Sequence, residues 1–163
     1  MIVQRQTDDG PGQLVYTGAV TLGLARWSVH GSEYDLGFSA NAEVGLRAAE
    51  NLSLVALGNA GYSFLSADYS AVLGSLGAGL RLDHVIPGHV TIGGLASFGS
   101  ISYGGQDPAQ QSAGSISFSG LAVVAQGVFP ISGAFGVAAQ TTFHTFTNGG
   151  SLFTLTVGPS FGN

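Results

Sequence analysis

Residues 34–48 read YDLGFSANAEVGLRA, and the two interleaved halves of this stretch differ in kind. Its even positions carry Tyr34, Leu36, Phe38, Ala40, Ala42, Val44, Leu46 and Ala48. Its odd positions carry Asp35, Gly37, Ser39, Asn41, Glu43, Gly45 and Arg47. A period of two is the pattern of a β-strand with two unlike faces. The run is far longer than the usual strand of about 5–6 residues. It suits a tilted strand that crosses a bilayer, which needs about 9–11 residues plus overhang.

Outward from that stretch the alternation recurs, predicting eight strands: 14–29, 34–49, 52–65, 69–83, 89–103, 115–129, 133–147 and 151–161. In the sixth, Ile116 and Phe118 share one phase while Leu121 and Val123 share the other, so a bulge is expected at Gly120. A helical alternative would centre on residues 120–140, which are uncharged. That segment is interrupted by Gln126, Pro130, Ser132 and several glycines, and the chain has no run of 18 or more apolar residues of the kind a helical span needs. In hydrocarbon a sheet must close on itself, because an open edge leaves backbone groups without partners. The expected fold is therefore all-β: an eight-stranded antiparallel up-and-down transmembrane β-barrel.

Composition points the same way. The 163 residues have room for one domain, 45% are hydrophobic, and only 8% are charged, against about 25% in ordinary soluble proteins. There is no lysine, and the arginines are Arg5, Arg26, Arg47 and Arg81. So few charges cannot dress a water-facing surface, which is typically about 25–35% charged. After Asp107 no Asp, Glu, Lys or Arg occurs. A net charge of −5 without a basic cluster excludes nucleic acid as a partner and argues against a polybasic membrane anchor. No cysteine is present, so there is neither a disulfide framework nor a thiolate metal site, and no cofactor is expected. Residues 1–12 contain Arg5, Asp8 and Asp9 and lack the apolar core of a signal peptide. They are expected to form a flexible polar leader ahead of a barrel spanning 13–163.

Tight turns are expected at 50–51, 85–88 and 130–132, while the longest link, GGQDPAQQSAG at 104–114, joins strands five and six. With both termini in the periplasm, those turns fall on the periplasmic side and the long loop faces outward. The bulky phase, assigned to lipid, places Tyr34, Phe38, Tyr62, Phe64, Phe98, Phe118, Phe143 and Phe153 toward the outer end, and Tyr16, Phe135 and Phe161 near the inner end. Two aromatic belts at the membrane interfaces are expected of such a protein. Arg26 falls in the lipid phase near the outer end, where it can snorkel to headgroups.

The eight strands, the short inner turns and the closing strand SLFTLTVGPSF resemble the small bacterial outer-membrane barrels of the OmpA/OmpX type. The likeness covers residues 13–161 and lies in pattern. In that family the final strand ends in an aromatic read by the assembly machinery; Phe153, Leu155, Val157 and Phe161 fit, although Gly162 and Asn163 follow the last aromatic. The resemblance implies residence in the bacterial cell outer membrane.

An eight-stranded barrel has an interior just wide enough for side chains to fill. The inward phase is expected to carry a polar network of Asn41, Glu43, Arg47, Asn59, Arg81, Gln140 and His144. Glu43 and Arg47 lie about 13 Å apart along one strand face, so Glu43 is expected to meet Arg81 across the interior, or Arg47 through water. A lumenal charge without a partner is costly. This cluster reads as a hydrogen-bonded plug more readily than as a gate for ions.

Catalytic and metal sites are not expected. Lipid A deacylases of similar architecture pair a His with a nearby Ser and an acid; here His144 sits in FHTFTNGG, position 146 is Phe, and no carboxylate follows. His84 and His89 flank the turn VIPG beside Asp83, without the spacing of a metal site. The fragment GSLGAG lacks the GK[ST] ending of a phosphate loop. The expected role is a non-enzymatic outer-membrane barrel that acts structurally or through loop contacts. Outer-membrane lipid is the expected partner, with other envelope proteins or copies of itself as further candidates. A narrow porin-like channel for small molecules is the alternative, and a lipid-modifying enzyme a more distant one.

Overall fold

The computed structural model describes residues 10–28, 35–66, 69–103, 114–147 and 149–162. Eight strands follow one another: β1 (Leu14–Trp27), β2 (Asp35–Ala49), β3 (Leu52–Ser66), β4 (Tyr69–Asp83), β5 (His89–Tyr103), β6 (Gly114–Ser132), β7 (Phe135–Phe146) and β8 (Ser151–Gly162). Each pairs antiparallel with its neighbour in sequence, and β8 returns to β1 to close the ring. The closing ladder runs from Thr17↔Gly162 to Trp27↔Leu152 and skips the positions opposite Pro159, which has no N–H to donate. At the start of the barrel the ladder reaches Gly12, whose N–H donates to the Arg47 carbonyl at 2.8 Å.

The two ends differ in their connections. At the terminal end, where β1 begins and β8 finishes, the links are the turns at 50–51, 84–88 and 133–134. At the loop end lie the links 28–34, 67–68, 104–113 and 147–150, the two longest of the barrel among them, and most of their residues, Tyr34 included, fall outside the described set. His84 and Gly133 adopt left-handed backbone in the second and third turns. The third turn differs from the sequence expectation. β6 runs on through Pro130 to Ser132, with a register shift between those two residues, and turns at Gly133–Ala134 instead.

Strand alternation sorts the side chains as barrel geometry requires. Leu14, Val20, Leu22, Val44, Leu54, Leu76, Ile92 and Leu121 are exposed on the outside. Among the described residues, Arg26 is the only charged side chain that a strand carries outward. It lies beside Phe153 at the loop-end rim, so the band between the rims is apolar, as a hydrocarbon surround demands, and the closed ring leaves no edge strand. Outward aromatics form the rims: Tyr16, Phe129, Phe135 and Phe161 toward the terminal end, and Phe38, Tyr62, Phe64, Phe98, Phe143 and Phe153 toward the loop end. Two of these rings lie over cross-strand glycines, Phe161 on Gly18 and Phe98 on Gly74, leaving no room for a Cβ at either.

Phe118 corrects the expectation drawn from the sequence. It turns inward, 7% exposed, and packs beside Trp27 and Phe146. There is no bulge at Gly120: β6 pairs in unbroken register with β5 through Phe118, Gly120 and Leu121, and its ladder with β7 begins at Gly120 and continues without a shift through Leu121. The phase is constant along the strand, so Leu121 and Val123 face out while Phe118 and Ala122 face in. The physical reason is that the loop end of the lumen is itself apolar, so a bulky residue there does not mark the lipid side.

Candidate functional site: the filled lumen

The lumen has three zones, each built by the inward phase of several strands. At the loop end, Trp27, Phe118, Phe146, Leu152, Leu73, Ala71 and Ala25 form a buried cluster. The Trp27 indole stacks on Phe146 at 5.6 Å and meets Phe118 edge-on at the same distance, while Phe118 and Phe146 lie 4.5 Å apart. Such aromatic contacts add to the area that they bury.

The middle zone is polar and uncharged. Thr21 Oγ1 shares hydrogen bonds with Ser39 Oγ (2.7 Å) and Thr156 Oγ1 (2.9 Å), and Asn41 Nδ2 donates to Ser39 Oγ at 3.2 Å. Asn59 Nδ2 donates to Asn41 Oδ1, and Gln140 Nε2 to Thr142 Oγ1 at 3.0 Å. On the far wall Ser75, Ser97 and His144 form a chain, with Ser97 Oγ 3.0 Å from Ser75 Oγ and 2.9 Å from His144 Nδ1. The His144 ring stacks on Phe146, joining this zone to the aromatic cluster.

Nearer the terminal end the charges converge. Arg81 donates through Nε to Asp83 Oδ1 (2.9 Å) and through Nη1 to Glu43 Oε1 (3.3 Å), and Arg47 Nη2 donates to Asp83 Oδ2 at 3.4 Å. Thr91 Oγ1 donates to the other oxygen of Glu43 at 2.6 Å, and His89 Nε2 lies 3.3 Å from Thr17 Oγ1. All four charged side chains are at least nine-tenths buried. Two cations against two anions, each hydrogen-bonded, is the arrangement that makes buried charge tolerable.

Of the residues singled out from sequence, the structure joins Glu43 to Arg81 and Asn41 to Asn59, and Asp83 links Arg47 to Arg81. Gln140 and His144 bond instead to Thr142 and Ser97. Sequence reasoning missed Asp83 and His89 as lumen residues because both sit at strand ends beside a turn. A signal was present: Asp83 shares the face of Arg81 two residues earlier, and it pairs directly with His89 across the hairpin.

Two chemistries can be weighed on this geometry. Ser97 and His144 are a nucleophile-and-base pair by distance, but the void beside His144 is about 20 Å³, room for about one water. Nothing the size of an acyl substrate fits there. Among the described residues no group of three or more His, Cys, Asp or Glu side chains is placed to hold a metal ion. A second void of about 20 Å³ lies between Asn41, Gln126 and Gln140. These two gaps within the lumen are water-sized, while at the terminal end a cavity of about 280 Å³ opens beside Arg47, Arg81 and Asp83.

No protein-family model matches the sequence, and no curated protein matches it. Solved structures do resemble the fold. Ail, the attachment invasion locus protein of Yersinia pestis, superposes with a TM-score of 0.62 at 16% identity, covering 94% of this chain and 100% of that one. The N-terminal β-barrel domain of Pseudomonas aeruginosa OprF gives 0.60 at 14% identity, over 94% and 100%. Neisserial surface protein A gives 0.58 at 16% identity, over 93% and 98%. The architecture is that of the small eight-stranded outer-membrane β-barrels.

Proposed function

We propose that this protein is a non-enzymatic barrel of the bacterial outer membrane whose lumen is a plug, and which acts structurally or through contacts made by its outer loops. The observation that carries this reading is the filled interior. Ring packing, a hydrogen-bonded middle and a neutral ion quartet succeed one another along the axis, and the voids between them are about 20 Å³ each. Outside, the charge-free apolar belt between two aromatic rims suits outer-membrane lipid as the surrounding partner. Other envelope proteins or further copies of the chain would be met at the loop end, where the link at 104–114 offers the longest stretch for contact.

The Ail barrel has been crystallised with a heparin analogue, sucrose octasulfate. This chain offers such a polyanion little. It has four arginines and no lysine, and Arg47 and Arg81 are turned into the lumen and paired with Glu43 and Asp83.

Planar-bilayer recording tests the plug. The folded protein is expected to insert without stable conductance, and discrete reproducible openings would overturn the reading. Replacing 105–113 by a short Gly-Ser turn tests the loop role: the barrel is expected to fold and reach the membrane while its contacts with other envelope components fall away.

A further inference from the structure

Side-chain size accounts for the cavity at the terminal end. There the inward positions of β6, β7 and β8 carry Val128, Gly136, Ser160 and Gly162, while Arg47, Arg81, Asp83 and His89 project from β2, β4 and β5. The small residues of one half leave about 280 Å³ unfilled, close to the lower limit of the about 300–1,000 Å³ usual for small-molecule sites. That is more than tenfold the size of either gap deeper in the lumen. Phe135 and Phe161 border the space, but their rings are turned to the outer face, 71% and 55% exposed. Since the ring of strands is closed, the cavity opens at the terminal side rather than to the bilayer.

Two observations define its occupant. The first is charge balance. Arg81 is held by Glu43 and Asp83, and Arg47 by Asp83, so the ions beside the cavity answer one another. An ion of either sign that entered would leave water without a free counter-charge to meet it, which is costly. The second is an unanswered hydroxyl. Ser160 Oγ, on a side chain 2% exposed, borders the cavity and has no hydrogen-bond partner, an expensive state for a buried polar group. Thr17 and His89 add further hydrogen-bonding atoms, and the paired guanidinium and carboxylate groups set donors beside acceptors. A hydroxyl both donates and accepts, so a solute rich in hydroxyls matches such a mixed surface where an ion does not.

We infer that this cavity binds a small uncharged polyol, up to the size of a monosaccharide. Its hydroxyls pair with Ser160 and Thr17 and with the cavity side of the ion pairs, while Val128 and Pro130 meet its carbon skeleton. Because the rings of Trp27, Phe118 and Phe146 close the far end, the polyol enters and leaves on the terminal side. The plug decides only that route, and binding itself would survive in a barrel found to conduct.

The test uses the full chain folded in an alkyl polyoxyethylene detergent, whose headgroup is not a sugar, and follows backbone amides by NMR during titration with xylitol. Xylitol is expected to give saturable shifts centred on Thr17, Gly136 and Ser160. Its affinity should exceed that of 1-pentanol, valerate and pentylammonium by about tenfold or more, since a site built to hydrogen-bond hydroxyls rejects analogues that lack them. Ser160→Leu, which fills the cavity without touching an ion pair, is expected to abolish the shifts. Ser160→Ala keeps the space and removes one hydrogen bond, so it is expected to weaken binding about fivefold; should the leucine variant not fold, the alanine variant decides alone. The inference is overturned if the xylitol shifts do not saturate, if pentanol or either ion binds as tightly, or if a folded Ser160 variant keeps the full affinity.

Discussion

The two ends of the lumen are sealed by unlike physics. At the loop end, Trp27, Phe118, Phe146 and Leu152 exclude water by packing, which is non-directional and proportional to the area buried. Toward the terminal end, Glu43, Arg47, Arg81 and Asp83 do so by pairing, which depends on every partner being in place. One barrel thus contains a region that should accept similar shapes and a region that should not accept the loss of a single group. A cavity of about 280 Å³ adjoins the second region, so the half with the more exacting chemistry is also the less tightly filled half.

The largest expected effect is at Arg81. Arg81→Ala takes from Glu43, 2% exposed, its arginine partner and leaves Asp83 to Arg47, and should cost about 3–5 kcal/mol, read as a lower urea midpoint for unfolding from lipid bilayers. Removing charge in a matched way is expected to cost less. Glu43→Leu combined with Arg81→Met leaves Asp83 its bond to Arg47 and should lose about 2 kcal/mol or less, because replacing a buried pair by apolar groups is often nearly neutral. The strong non-additivity between single and double variants is the measurement to make. If Arg81→Ala were as mild as the double variant, the contrast between the two ends would fail.

How much of this the sequence disclosed follows from the same contrast. The period of two located all eight strands to within a few residues, because alternation is imposed by the backbone whatever fills the barrel. The short turns and the longer loop-end links were legible too, apart from the last turn. There Pro130 suggested a break, but β6 continues across a register shift to Gly133. Which phase faces lipid was legible wherever the lumen is polar, as along β2, where Asn41, Glu43 and Arg47 mark the inside. It was illegible where the lumen is apolar. Trp27, Leu73, Phe118, Phe146 and Leu152 are as hydrophobic as any lipid-facing residue, and only pairing register separates the two. Asp83 and His89 escaped notice for a different reason. Strand ends next to turns ordinarily face water, and the one local signal, that Asp83 shares the face of Arg81 and pairs with His89, is outweighed by that position.

A milder change sharpens the loop-end side of the comparison. Trp27 Nε1 is buried without a hydrogen-bond acceptor, so Trp27→Phe removes an unpaired donor while keeping an aromatic ring in the cluster. The expected loss is within about 1.5 kcal/mol, again by urea midpoint. A loss matching that of Arg81→Ala would mean that the rings are held as specifically as the charges.

The smallest effect tests the placement of Phe118 itself. Trp27 is the only tryptophan in the chain, so its emission and near-ultraviolet circular dichroism report on the loop-end cluster alone. Phe118→Leu removes the edge-on ring 5.6 Å from the indole and should change both signals while costing about 1 kcal/mol. Phe98→Leu is the matched control. It makes the same substitution on β5, at a position 56% exposed on the outer face, where lipid replaces the lost contacts, so the Trp27 signals should not move. Were Phe118 in the lipid phase, the two variants would behave alike. A difference between them is therefore a direct reading of which way β6 faces, obtained from a part of the barrel where hydrophobicity carries no such information.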